Sequence, residues 1–553
     1  MKHFAYILVF CLSLFACKKK DPPSPPAPPA QLTATSVQLN GAGFTNNVFN
    51  VNRQPLIRVQ FSEAVNRNTV SNAVKLTGGV ASPSLNISYE NNDAVLLIQP
   101  TAPLNALTKF NFSIDNTLQS AKGGVFISTV NYNFTTQIDS SRKFPAISDD
   151  ALLTLVQQQT FKYFWDFAHP VSGLARERNT SGDVVTMGGS GFGIMAIVTG
   201  INRGFITRQQ GLTRMQTMVS FLKNNAQKFK GAFPHWMNGV TGAVVPFSAN
   251  DNGADLVETS FLMMGLLTAR QYFNGVDAAE TNLRTDINTL YNGVEWNWFR
   301  KNNENVLYWH WSPNFNWNIN LQIRGWNECL VTYVLAASST TYGIPANVYT
   351  NGFAHNGTAP FINGNNYYGI RLPLGEANGG PLFFAHYSFM GINPNGLNDT
   401  YANYLTQNTN HTKINYEYCR ANPRAHFGYS DSVWGLTASD IPNGYTASSP
   451  GNDVGVIAPT AALSSFPYTP VESMKALKFF YYVLGDRLWK EYGFTDAFSL
   501  KDSWFANSFL AIDQGPIIVM IENYRSGLLW NLFTSCPEVK NGMRALGFTA
   551  PYL

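Results

Sequence analysis

The sequence predicts a multidomain chain: a small all-β sandwich first, then a large all-α toroid of the (α/α)6 barrel kind. Three observations carry this. Between about residues 31 and 137, apolar side chains recur at every second position in short runs. From about Ser148 they fall on a helical stripe: Leu152, Leu153, Val156, Thr160, Phe161, Phe164 and Trp165. About eleven stretches of that kind follow, joined by long Gly-, Asn- and Trp-rich loops, which suits about six helical hairpins closed into a ring.

The N-terminus reads as an address. Lys2 and His3 precede an apolar run, Phe4 to Ala16, which is shorter than the ~20 residues a membrane span needs. It ends in Leu14-Phe15-Ala16-Cys17, followed by Lys18-Lys19-Lys20. This resembles a bacterial lipobox. The resemblance implies a signal peptide over 1–16, cleavage before Cys17 and lipidation of its thiol. Residues 17–34 then form a proline-rich spacer off a lipid-anchored membrane attachment, and the expected location is the bacterial cell envelope, at the outer-membrane surface or in the periplasm.

The β-sandwich is expected over 35–138. Its runs include Pro55-Leu-Ile-Arg-Val-Gln-Phe61 and Phe110-Asn-Phe-Ser-Ile114. The segment resembles bacterial Ig-like domains of surface proteins. Glu63 and Asp93 read as turn or edge residues. The helical domain is expected over 148–553, with helices at Gly193–Arg203, Thr207–Phe229, Asp255–Tyr272, Thr281–Phe299, Leu321–Ala337, Pro381–Met390, Asp399–His411, Val471–Leu484, Ser503–Ile512 and Pro516–Phe533.

Composition narrows the function. Of 553 residues only 13% are charged, 14% are aromatic, and the net charge is 38 − 34 = +4. That is too dilute for a nucleic-acid protein, which concentrates basic charge. A surface of Asn, Thr, Ser, Gln and Tyr suits neutral, hydroxyl-rich ligands. The five scattered cysteines make neither a zinc spacing nor a disulfide framework. No metal, cofactor or nucleic-acid partner is expected, and the chain reads as a monomer.

Four segments carry possible chemistry. In the first, Gly231-Ala-Phe-Pro-His-Trp-Met-Asn-Gly239 runs on to Asp251, Asp255 and Glu258 at a helix start. Spacings of four and three put these carboxylates on one side, beside His235 and Trp236; capping of the helix explains one or two of them equally well. In the second, Glu328 is expected mid-helix in apolar surroundings, which raise a carboxyl's pKa as a general acid needs. Arg324, four residues earlier, would oppose that by pairing with it. Trp311 and Trp326 lie near. In the third, Asp513 sits before Gly515-Pro516, read as a break between two helices. In the fourth, Arg424, His426, Tyr429 and Asp431 occupy a loop opening a helix. His386 reads as a sugar contact or a core histidine. The Gly188–Gly193 run lacks a preceding strand for a dinucleotide site and reads as a tight turn.

At these motifs the chain resembles the glucoamylase-like proteins of glycoside hydrolase family 144, known as β-1,2-glucanases. The matching runs include "GGSGFGIMAIVTGINRGFITR", "GAFPHWMNG", "DLVETSFLMMGLLTARQYF", "RGWNECLVTYVLAASS" and "AIDQGPIIVMIENYRSGLLW". The resemblance implies hydrolysis of β-1,2-glucan or its oligomers with inversion, in a cleft built from Asp251, Asp255, Glu258, Glu328 and Asp513. Glycoside hydrolysis needs an acid for the leaving oxygen and a base for water. Glu328 is the expected acid. Asp513 is the first choice for the base, with Asp255 or Glu258 next. His235, Trp236, Trp311, Arg324, Trp326, His386, Arg424, His426, Tyr429, Asp431 and Asp251 are the expected substrate contacts. The competing reading is a non-catalytic cell-surface glycan-binding lipoprotein.

Overall fold

The structure, a computed structural model, describes Met1 and residues 28–553. Cys17, the signal peptide and most of the proline-rich spacer lie outside the described residues. Two compact units divide between Gln137 and Ile138.

The first unit holds two sheets around one core. Nine strands form it: β1 (Ala34–Leu39), β2 (Ala42–Gly43), β3 (Val48–Val51), β4 (Ile57–Phe61), β5 (Val74–Gly78), β6 (Leu85–Glu90), β7 (Val95–Pro100), β8 (Lys109–Ile114) and β9 (Val130–Thr136). One sheet runs β2-β1-β4-β7-β6, the other β3-β9-β8-β5. The period-two pattern has its cause here: Ile57, Val59 and Phe61 point into the core while Arg58 and Gln60 face outward. Phe112 and Phe134 of the second sheet fill the same core. Glu63 and Asp93 pair with Lys122 and Arg67 at the surface.

The second unit is helical. Ser148 caps the helix Asp149–Trp165 by accepting the Ala151 N–H, and Thr207 opens Arg208–Asn224 with a complete capping box to Gln210. Three helices are buried along nearly their whole length: Met187–Asn202, Leu256–Tyr272 and Ala511–Ser526. They pack on one another, with Leu330–Ser338 against the second of them. Amphipathic helices such as Arg208–Asn224 and Ala278–Asn292 face solvent on one side.

Several expected helices differ from those observed. The Gly188–Gly193 run is no turn; it forms the first turns of Met187–Asn202. Its glycines let two backbones touch. A Cβ on Gly191 would lie 2.2 Å from the Phe261 carbonyl oxygen, and one on Gly265 would lie 2.2 Å from that of Gly191. Gly265→Ala should therefore cost about 3 kcal/mol, read as a lower denaturant midpoint; an unchanged midpoint would remove the contact. Gly515-Pro516 is no break either, because the helix runs through it from Ala511. Gly515 meets Phe192 at the helix contact, and burial there outweighs the ~3 kcal/mol that proline costs a helix interior. Leu321–Cys329 is not helical: the Trp309 N–H donates to the Leu321 carbonyl and the Ile323 N–H to that of Leu307, so residues 321–324 run extended, and bends and a turn over 325–329 lead into Leu330. Ser503–Ile512 contains the pair Trp504–Phe505 with Phe498–Ser499 instead of a helix.

Short strand pairs precede two of the inner helices: Val184–Thr186 with Trp236–Asn238 ahead of Met187, and Ala254–Asp255 with His310–Trp311 ahead of Leu256; Ala438–Ile441 and Gly444–Ala447 form a separate hairpin. Among the described residues no helix is long and apolar enough to cross a membrane.

Candidate active site

The inner helices present their N-terminal ends to one cavity of about 480 Å³. Thr186 precedes one of these helices, Glu258 is in the first turn of the next, and Glu328 lies two residues before the third. All three line the cavity, with His235, Trp236, Phe247, Trp309 and Tyr387 among its other walls.

Glu328 is buried, at 9% exposure. Burial pushes its carboxyl up to about 7, and the charges of Glu258 and Asp255 add to the effect. Arg324 does not oppose this. It is exposed and donates to Gln322 Oε1 at 2.6 Å, because the extended chain carries it away from the helical position assumed for it.

Glu258 faces the same space. Its Oε2 accepts the Gly188 N–H at 2.7 Å and the Thr186 hydroxyl at 3.3 Å. Its Oε1 lies 4.0 Å from His235 Nε2. Burial raises this carboxyl, His235 opposes the rise, and Asp255 adds to it.

Asp255 is the helix cap and is fully buried. One oxygen accepts the N–H groups of Val257 and Glu258; the other meets His235 Nδ1 at 2.9 Å and His310 Nε2 at 3.5 Å. Burial disfavours its charge, but the two imidazoles outweigh that and hold it well below the usual carboxylate range. It does not line the cavity, so it positions its neighbours and is not placed to activate water. His235 in turn is pushed up to about 9 by Glu258, Asp255 and Asp251 against burial. Asp251 precedes the helix instead of sharing its face; burial and Asp255 push it up to about 6, with His310 3.4 Å away. Ligand atoms of His235, Asp251 and Asp255 all fall within 4.8 Å of one another, close enough to hold a cation, although the 2.9 Å His235–Asp255 hydrogen bond already employs two of these groups.

Asp513 is buried in the first turn of its helix and stands behind the cavity wall. Tyr387 and Tyr445, which line the cavity, both sense its charge. Its carboxyl interacts directly with that of Asp496, which pushes it further up.

Other expected contacts lie elsewhere. Trp311 packs against Trp298 and Phe229; successive strand residues face opposite ways, so its neighbour His310 reaches the carboxylates instead. Trp326 is core, against Phe389 and Tyr404. His386 is core too: it contacts Ser465 Oγ at 3.0 Å, and burial pushes it down to about 3, leaving it neutral. His426 and Tyr429 converge on the carboxylate of Asp453 and Arg424 donates to its backbone carbonyl, a clamp on one loop. Asp431 opens no helix and pairs with Lys475 at 2.5 Å. None of these lines the cavity. Sequence reasoning missed Glu177, Arg178, His310, Asp440, Tyr445 and Asp496. Only the Arg176-Glu177-Arg178 cluster offered a signal, as charges in a chain poor in them.

Two buried carboxyls, Glu258 and Glu328, both pushed up by desolvation and facing one aromatic-walled cavity, suit the acid–base chemistry of the glycoside hydrolase class. Comparison with known proteins agrees. The family described as "Putative glucoamylase" matches residues 320–537, and the "Bacterial Ig-like domain" family matches 34–136. A structure described as a "putative glucoamylase" from Bacteroides uniformis shares 57% identity, covering 74% of this chain and 100% of that one, with a TM-score of 0.73. An endo-β-1,2-glucanase from Chitinophaga pinensis, in complex with sophorotriose and glucose, shares 51%, covering 74% and 100%, with a TM-score of 0.72. An exo-β-1,2-glucooligosaccharide sophorohydrolase (non-reducing end) from Parabacteroides distasonis is 47% identical over 438 residues, 75% of this chain and 60% of that protein. The chain thus spans 60% of that curated relative's length. The chain belongs to the glucoamylase-like glycoside hydrolases of the family 144 type, and carries a bacterial Ig-like domain ahead of that domain.

Proposed function

We propose that this protein hydrolyses β-1,2-glucan or its oligosaccharides with inversion at the anomeric carbon. The observation that carries the reading is Glu328: a carboxyl still half protonated at about pH 7, opening on the same cavity as Glu258. Glu328 gives its proton to the leaving glycosidic oxygen. Water attacks the anomeric carbon from the opposite face, and its proton passes toward Asp513 along hydroxyls beside Tyr387. Tyr387 supports this route, since it lines the cavity and feels the charge of Asp513 most among its carboxylate neighbours, then those of Glu328 and Glu258. Glu258, already held by Gly188 and Thr186, orients substrate hydroxyls with His235. Trp236 and Phe247, in edge contact at 4.9 Å, form an apolar wall for a pyranose face.

The same reading extends to the remaining architecture. The buried and amphipathic helices form an (α/α)6 toroid; Cys17 carries a lipid that anchors a monomer in the cell envelope. The relatives' activities and the lipobox sequence support these assignments.

Incubation with soluble β-1,2-glucan tests the activity, with laminarin and starch as controls. Reducing ends should appear from β-1,2-glucan alone, with the α-anomer first in the proton spectrum. Binding without release would instead identify a glycan-binding lipoprotein.

A further inference from the structure

Asp513 and Asp496 are each 2% exposed, and their carboxyls lie close enough to interact directly. One oxygen of each, Oδ2 of Asp513 and Oδ1 of Asp496, has no N–H or O–H donor from any other group. The other Asp496 oxygen accepts the Asp440 N–H at 2.7 Å. Two carboxylates cannot both stay ionised at such range in a buried site; a proton between them removes the repulsion and supplies the missing donor.

The surroundings do not offer another solution. Asp440, on its hairpin, meets Arg178 at 3.2 Å and the Ser508 hydroxyl at 2.5 Å. Arg178 also binds Glu177 at 3.0 Å, so its one positive charge already faces two carboxylates. Tyr387 and Tyr445 complete the groups facing Asp513, with Glu328 and Glu258 beyond Tyr387.

We infer that the base of this enzyme is the Asp496–Asp513 pair acting as a unit, holding one shared proton before the reaction and two after it, with Asp496 as the positioning partner. The inference rests on Asp513 serving the base side of the proposed reaction. As water bonds to the anomeric carbon, the bond from that carbon to the leaving oxygen breaks. Glu328 gives that oxygen a proton, and the pair takes the proton that water releases. Glu328 has lost one proton and the pair has gained one; exchange with solvent resets both. Burial and the neighbouring Asp496 push Asp513 up, while burial and the charge of Asp440 push Asp496 up to about 7.

Two substitutions at Asp496 make the test. Asp496→Asn keeps a donor toward Asp513, so the acid limb of the kcat/KM profile of whatever turnover remains should hold its place. Asp496→Ala removes the donor and leaves Asp513 buried alone, so that limb should move up by about one pH unit or more. A merely structural Asp496 would lower kcat in both variants without moving the limb. An ionised, repelling Asp496 would move it down in Asp496→Ala. Either result overturns the inference. If Asp496→Ala does not fold, infrared spectra at neutral pH decide: adding Asp496→Asn to Glu328→Gln should remove one protonated-carboxyl band, and its persistence would overturn sharing. Asp513→Asn separates the two readings. Near-normal turnover there removes the base assignment and the inference with it. A loss of about 10²–10⁴-fold in that variant, with an unmoved limb in Asp496→Ala, removes the inference alone.

Discussion

Glu328→Gln should lose about 10³-fold or more in kcat on β-1,2-glucan while still binding the oligosaccharide. A positioned general acid contributes roughly 10²–10⁴-fold, and glutamine keeps the size and polarity of the side chain but cannot surrender a proton. The wild-type kcat/KM should fall as pH rises through about 7, where Glu328 ionises, and the variant's residual rate should show no such limb. The same change has a second sign. The folded state holds this carboxyl above its ordinary 4.5, so its contribution to stability is full below that value and is lost as pH rises through about 7. At pH 8 Glu328→Gln should thus be more stable than wild type, by about 3 kcal/mol at most. Isothermal binding, initial rates and denaturant melts at pH 5 and 8 check all three outcomes. Near-normal turnover at neutral pH would take the acid role from Glu328.

Asp255→Ala should be the most damaging single change to the folded site. It uncaps the Leu256–Tyr272 helix, costing about 1 kcal/mol, and strands two imidazoles beside Asp251 and Glu258. Breaking a buried ion pair from one side costs about 3–5 kcal/mol. Asp255→Asn should keep the cap through its amide oxygen yet drop His235 from about 9 toward the ordinary imidazole range. Urea melts follow the first effect and a proton titration of His235 the second. A loss below about 1 kcal/mol in Asp255→Ala would show that the imidazoles find other partners.

Local signals were legible in the sequence; long-range ones were not. The run from Asp255 to Glu258 announced a helix start because capping is decided within four residues. Asp255 caps that helix, and its neighbour Glu258 lines the cavity. Glu328 was legible as an acid among apolar residues, but its helix was not, since the apolar spacing before it also satisfies an extended segment pinned to Leu307 and Trp309. His310 and Trp311 differ only in strand parity, which needs the partner strand at Ala254 and Asp255 to fix it. Asp496 meets Asp513 across a stretch of chain that was read as helix and is a hairpin. Arg424, His426 and Tyr429 had the composition of a sugar site and turned out to serve Asp453.

The touching backbones of Gly191 and Gly265 have a consequence for how such an enzyme diversifies. Phe261 and Glu258, which line the cavity, belong to one of those two helices, and the spacing between the helices is set by peptide groups rather than by side chains. Lineages can reshape the rim by trading hairpin residues such as Phe247 or Tyr445, and so change which sugar lengths enter. The helix spacing offers no such freedom, because a Cβ at either glycine would run into the facing backbone.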